Sequence, residues 1–419
     1  MADHIAARLH APAPKRILAL DGGGTRGIIT LAFLERIEAT LQKRLGRGDD
    51  FVLADYFDMI GGTSVGSMLA AQLAQGKRVA EVRSRFETAA PRIFGKPRWY
   101  ERPRFGIFRP RFEAGALTRE IKDAVKEETM AGDGLKTGIA IVMKRMDTGS
   151  VWPISNNPAA RYWKERPIPN SNRVRRGNKD YKLWELIRSS TAAPHYFMHH
   201  AVQIFDGLDD GLGEGKFIDG AVSPHNSPAL KLFMMAAIKG YNLGGGELTK
   251  DGGGKAWDLG GDNLLLVSVG TGLYSSRTRT SGSAAWDAMQ SLQGMIADGT
   301  DLGLILLQWL GHSGRPWVLD REVRSLAQDV LHVDGREVGP LLGFQRYDMR
   351  LDKDDLNIDR CADVDDVEMA LLRDMVEPGN IRRLYELASA SAVKQVTSDD
   401  FPAAFDQVWH PATRIGEPA

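Results

Sequence analysis

Cysteine is almost missing from this chain. Cys361 stands alone among 419 residues, so no disulfide can close within the chain and no multi-cysteine zinc site can be built. That poverty suits a reducing compartment. Net charge is missing too. The 54 Lys+Arg are matched by 54 Asp+Glu, which removes the whole-protein basic field that a nucleic-acid polymer requires. Long apolar runs are absent. The longest lies near Leu302–Leu310, far short of the roughly 20 residues that cross a bilayer. The opening residues Met1-Ala2-Asp3-His4-Ile5 carry no apolar signal core. The expectation is a soluble, cytoplasmic protein.

Glycine is in excess. There are 45, about 11% against a usual ~7%, without a Gly-X-Y period, which implies many tight turns. Apolar residues make up 43% and charged residues 26%, enough to bury a core. The order of the apolar residues is more informative. Arg16–Leu20 reads as a short strand and is closed by Asp21-Gly22-Gly23-Gly24-Thr25-Arg26-Gly27. Ile28, Leu31, Leu34, Ile37, Leu41 and Leu45 then recur at helical steps. The same unit follows at once, with the apolar run Phe57–Ile60, the turn Gly61–Gly66 and a small-residue helix ending at Gly76. Further strands are expected at Gly138–Met143 and Leu264–Val269, and helices at Leu117–Val125, Leu183–Ser190, Ala229–Ile238, Trp286–Ile296 and Val367–Leu387. Strands alternating with helices predict a mostly parallel sheet covered on both faces. Residues 1–14 read as a flexible arm, 15–395 as one domain with its motifs in 15–275 and a helical completion in 276–395, and 396–419 as a tail. Tyr241–Gly261, crowded with glycine, reads as a flexible loop.

Gly62-Thr63-Ser64-Val65-Gly66 fits G-x-S-x-G. Such a turn between strand and helix holds a serine in a strained conformation with its oxygen exposed, and the helix that follows points its positive end at it. The alternative is a glycine turn with an inert serine. In Asp21–Gly27 consecutive glycines let backbone N–H groups converge on an oxyanion or a phosphate. The phosphate reading lacks a Gly-Lys-Ser/Thr ending, and a nucleophile turn sits one unit away, so the loop is read as an oxyanion hole. Arg26 there is a fixed charge or an anchor. A serine needs a base. Asp219 ends the β-prone run Phe217–Val222 beside Gly220, and it would have to be desolvated or closely apposed to Ser64 to act as one. His225 or His195 as the base of a Ser-Asp-His triad stays open. Asp352–Asp366 does not make a calcium hand, because Leu356 fills a ligand position and the required glycine is absent.

Together these motifs resemble the patatin-like phospholipases, the lipid acyl hydrolase family. The resemblance rests on DGGGTRG at Asp21–Gly27, GTSVG at Gly62–Gly66 and DGA at Asp219–Ala221. Ser190–Pro194, Phe197, Asn226, Pro228, Ser268–Gly272 and Arg346-Tyr347-Asp348 add to it. It implies a three-layer α/β/α sandwich and a Ser64–Asp219 dyad without a catalytic histidine. It also implies oxyanion donors at Gly22, Gly23 and Gly24 with Arg26 on the same loop, support from Gly62, Gly66 and Gly220, and no metal or other cofactor. The expected substrate is a glycerophospholipid or another acyl lipid. Peripheral membrane contact is expected through the basic, aromatic segment Arg92–Phe112, with a folded lid as its alternative. A lipase gated by a small ligand, suggested by the basic stretch Arg161–Lys182, and a non-catalytic lipid-binding scaffold are the competing readings. Self-association also stays open.

Overall fold

The computed structural model describes residues 3–95, 110–206, 213–274, 284–318, 322, 324–326, 331–333, 336–351 and 364–407. In chain order the elements begin α1 (Asp3–His10), β1 (Lys15–Leu20), α2 (Gly27–Arg44), α3 (Leu53–Tyr56), β2 (Met59–Thr63), α4 (Val65–Ala74), α5 (Val79–Phe94) and α6 (Ala114–Val125). Then come β3 (Gly138–Arg145), β4 (Val151–Ser155), β5 (Arg166–Pro167), β6 (Val174–Arg175), α7 (Leu183–Ser190), β7 (His200–Gln203), β8 (Phe205–Asp206) and β9 (Glu214–Asp219). The chain continues with α8 (Ala229–Ala237), β10 (Gly260–Val269), α9 (Ala284–Leu310), β11 (Leu331–Val333), β12 (Arg336–Val338) and β13 (Leu342–Tyr347). It closes with α10 (Asp366–Arg373) and α11 (Ile381–Gln395).

An eight-stranded sheet runs in the order β13-β10-β1-β2-β3-β9-β7, with β4 also on β3. The pairs from β13 to β3 are parallel, and β9 and β7 add an antiparallel end. The central strands are covered on both faces. Along β1, Ile17 and Ala19 join one apolar cluster and Leu18 and Leu20 the other. β10 divides in the same way, Leu264 and Leu266 against Leu265 and Val267. This is the period-two alternation of a strand between two helical layers, and the three-layer α/β/α sandwich is as expected. No helix among the described residues is long and apolar enough to cross a membrane.

Several expectations need correction. Residues 3–10 are not an arm. Ile5 and Leu9 are buried, and Arg8 donates to the carbonyls of Asp55 and Phe57 and pairs with Asp58, so α1 is pinned under the sheet. The segment 396–407 is no free tail either: Val396, Phe401 and Phe405 are fully buried and Arg44 bridges Asp406 at 2.7 Å. The helix expected over Val367–Leu387 is two helices, broken at Pro378, which lacks the N–H a continuous helix needs. α9 runs on to Leu310. The glycine-rich stretch is tied down through Asn242, whose side chain bonds Ala159, Gly246 and Lys255, and through Trp257 Nε1, which donates to Leu9 and Leu243 carbonyls.

Candidate active site

The site is built where β1, β2 and β9 end. After β2 the chain turns at Ser64 with φ 53°, ψ −127°, a left-handed conformation that costs a non-glycine residue on the order of 1–3 kcal/mol. The turn is tight enough that a Cβ on Gly62 would meet the Gly66 carbonyl. Close packing holds the strain in place. Ser64 N–H donates to Ser190 Oγ at 2.8 Å, and Ser190 Oγ donates in turn to the Val142 carbonyl at 2.6 Å. Thr63 Oγ1 donates to the His225 carbonyl. α4 starts at Val65 with Ser64 as its N-cap, so the positive end of that helix lies beside the serine.

Ser64 Oγ donates to Asp219 Oδ2 at 2.6 Å, the length of a charge-assisted O–H···O contact. The other carboxylate oxygen accepts from Ala221 N at 2.8 Å, and Asp219 N–H is held by the Ala192 carbonyl. Asp219 is 2% exposed. Burial pushes its carboxyl up to about 7, against the hydrogen bonds from Ser64 and Ala221 and the positive charge of Arg188. The desolvation asked of Asp219 in the sequence is thus present, and it raises the basicity of the carboxylate.

The two histidines are elsewhere engaged. His225 supports the turn through its backbone, and burial, with Lys231 nearby, lowers its imidazole to about 4. His195 is exposed at φ 72° with its ring against Tyr196. Neither has a hydrogen bond to Ser64 or Asp219 among the described residues.

The glycine loop needs one amendment. Gly22 N–H is spent on the Asn226 carbonyl at 3.1 Å. Gly23 and Gly24 keep amides that no described group occupies. Gly24 requires glycine: its φ is +59°, and a Cβ would run into the Met375 carbonyl. Arg26 serves as an anchor, donating to the Gly272 carbonyl at 3.2 Å and stacking on Tyr274. The loop is clamped by groups distant in sequence. Arg346 bonds Asp21 at 2.6 Å, Asp348 at 2.7 Å and Ser268 Oγ at 2.7 Å. Asp348 accepts from Gly272 N, and Thr271 Oγ1 donates to the Gly22 carbonyl. Burial raises the Asp21 carboxyl, with Arg346 opposing. Sequence reasoning gave Ser190, Asn226, Arg346 and Asp348 no task beyond family resemblance, and Arg188 none at all.

A cavity of about 220 Å³ takes in Ser64, Asp219 and Gly22–Gly24, and much of its remaining wall is apolar, including Met68, Phe86, Ile93, Phe94, Leu117 and Phe197. Of Arg92–Phe112, residues 96–109 lie outside the described residues. Its ends are folded in: Phe94 meets Phe112 edge-on at 5.3 Å, and both meet Phe197. Arg92 bridges Glu120. Cys361 and 352–363 also lie outside the described residues. No group of three or more His, Cys, Asp or Glu able to hold a metal occurs among the described residues.

The family described as Patatin-like phospholipase matches residues 18–233, a little over half of the chain. A protein of Vibrio cholerae named cGAMP-activated phospholipase is 32% identical over 209 residues, 48% of this chain and 55% of that protein. This chain thus spans about half the length of that relative. Patatin group A-3 of Solanum tuberosum is 28% identical over 318 residues, 75% of this chain and 73% of the patatin. The crystal structure of VipD from Legionella pneumophila overlaps 90% of this chain and 67% of its own at 12% identity, and its TM-score of 0.32 is too low to carry an argument.

Proposed function

Because the chain belongs to the patatin-like phospholipase family, we propose that it hydrolyses fatty acyl esters of glycerophospholipids with Ser64 as nucleophile and Asp219 as its base. The observation that carries this reading is the 2.6 Å contact between Ser64 Oγ and Asp219 Oδ2 within a largely apolar cavity. Ser64 Oγ attacks the ester carbonyl carbon while its proton passes to Asp219. The tetrahedral oxyanion is met by Gly23 and Gly24 amides, each such donor worth about 3 kcal/mol of barrier. Collapse expels the lysophospholipid alkoxide, which takes the proton from Asp219 and leaves an acyl-serine. Asp219 then draws a proton from water, the hydroxide adds to the acyl carbonyl, and fatty acid leaves as Ser64 is reprotonated. The apolar wall suits an acyl chain, and no step calls for a metal or cofactor.

The raised carboxyl sets the pH dependence. Asp219 must be ionised to accept a proton, so kcat/KM should climb with pH and level off above about 7, falling close to tenfold per unit below that. Initial rates on a p-nitrophenyl acyl ester across the range would show the limb. A flat profile from acid to neutral would exclude a base with this environment.

A second reading, a lipase gated by a cyclic dinucleotide, is favoured by the name of the Vibrio relative. Under it, vesicle hydrolysis should stay low until cGAMP is added.

A further inference from the structure

We propose that the basic face carrying Arg161, Lys164, Arg166, Arg173 and Arg175 docks the protein on an anionic lipid bilayer. This face is built on the small sheet β5-β6-β8. Arg175 stacks on Tyr162 at 3.8 Å and on Trp152 at 5.2 Å, Arg166 lies over Tyr162 at 6.0 Å, and Arg173 over Phe205 at 5.1 Å. Guanidinium groups held on aromatic faces keep their charge and spare donors for another acceptor. Among the described residues none of Arg161, Arg166, Arg173 and Arg175 has a carboxylate at ion-pair distance, whereas nearby Arg145, Lys179 and Lys182 pair with Asp147, Asp180 and Glu127. The buried Nε atoms of Arg173 and Arg175 have no hydrogen-bond partner. Desolvation lowers the Arg175 pKa, with Tyr162 and Tyr181 opposing and Arg145 and Arg166 adding to the fall. Among the described residues the acids of this small sheet are Asp206 on β8 and Glu165 just before β5.

Position matters as much as charge. β6 pairs with β8, and β8 follows β7 after one residue. β7 pairs with β9 with Gln203 opposite Glu214, and β9 runs from there to Asp219. Five strand residues span roughly 17 Å. Met143 faces Asp219 and Arg145 faces Phe217, so the start of β9 projects past the carboxyl end of β3, the edge at which Ser64 follows β2. β8 and its partner β6, which carries Arg175, therefore lie toward the catalytic side. Tyr162 is 38% exposed there, and Met146, whose N–H donates to the Lys216 carbonyl, is 50% exposed. Aromatic and apolar side chains among cations suit the headgroup zone of a bilayer. The purpose of the surface rests on the lipid-hydrolase reading, but its binding can be measured apart from catalysis.

The test is sedimentation in a Ser64→Ala background, with vesicles of phosphatidylcholine mixed with phosphatidylglycerol and of phosphatidylcholine alone. Arg161, Lys164 and Arg166 are exposed, so Arg161→Gln, Lys164→Gln and Arg166→Gln together should not disturb folding. At about fivefold per cation near an anionic surface, the triple variant should bind anionic vesicles about 100-fold more weakly. Neutral vesicles should show no difference, and the same substitutions with Ser64 intact should leave the soluble-ester rate unchanged. Independently of any variant, salt should release wild type from anionic vesicles. Equal binding by the variant, equal binding of wild type to neutral vesicles, or salt-insensitive binding would each overturn the proposal. So would competitive displacement from vesicles by inorganic phosphate at matched ionic strength, which would make the face a small-anion site.

Discussion

Asp219→Asn should abolish ester hydrolysis as completely as Ser64→Ala, a loss of at least about a thousandfold, and the double variant should be no worse. Asparagine preserves size and can still accept from Ala221 N, so the loss would belong to the missing base. His225→Ala should keep most of the activity, since nothing ties its imidazole to Ser64. A His225→Ala enzyme as dead as Ser64→Ala would replace the dyad with a triad. Stability supplies a control against misfolding. The Asp219 carboxyl titrates near 7 in the folded chain against an ordinary 3.8, so the folded state holds the proton more tightly than the unfolded one. That contribution is largest below pH 4 and is lost as pH rises through 7. Asp219→Asn removes the cost of the buried charge. The variant should therefore melt above wild type at pH 8, with the gap closing toward pH 4.

Arg346→Met should be among the most destabilising single changes in the molecule. Its guanidinium is buried between Asp21 and Asp348, and although burial opposes it, the two carboxylates hold its pKa above the ordinary value. Removing one partner of a buried ion pair costs about 3–5 kcal/mol, because the charges left behind are unpaired. At roughly 2 °C per kcal/mol for a chain this large, the melting temperature should fall by about 5–10 °C. Activity should fall as well, since Asp21 begins the glycine loop and Asp348 holds Gly272. Arg346→Lys, which keeps the charge but loses the fork, should lie between. Calorimetry and ester turnover on the three proteins would check this, and an unchanged melt in Arg346→Met would rule out the clamp.

Local physics wrote the Ser64 turn into the sequence. A strand, a glycine-flanked serine and a helix need no distant partner to be recognised, and β1 with its glycine loop was legible for the same reason. Asp219 could be nominated from its strand end, but its 2.6 Å approach to Ser64 bridges 155 positions and is a property of the fold. The Arg346 clamp spans 325 positions, so nothing in the neighbourhood of Asp21 announces it. The sequence showed three glycine amides as equal candidates, while the fold commits that of Gly22 to Asn226. α1 was misread because its amphipathic run is short and its binding surface is assembled from Asp55, Phe57 and Trp257. The basic stretch was visible as composition. Its stacking on Trp152, Tyr162 and Phe205 depends on three strands meeting.

The central claim, acyl-ester cleavage of phospholipid by Ser64, is tested most directly by lipid mass spectrometry. Phosphatidylcholine–phosphatidylglycerol vesicles would be incubated with wild type and with Ser64→Ala, with and without cGAMP. Wild type should release free fatty acid and a matching amount of lysophospholipid in at least one of the two conditions, and Ser64→Ala in neither. Fatty acid released equally by Ser64→Ala, or phospholipid left intact by wild type in both conditions, would contradict the account.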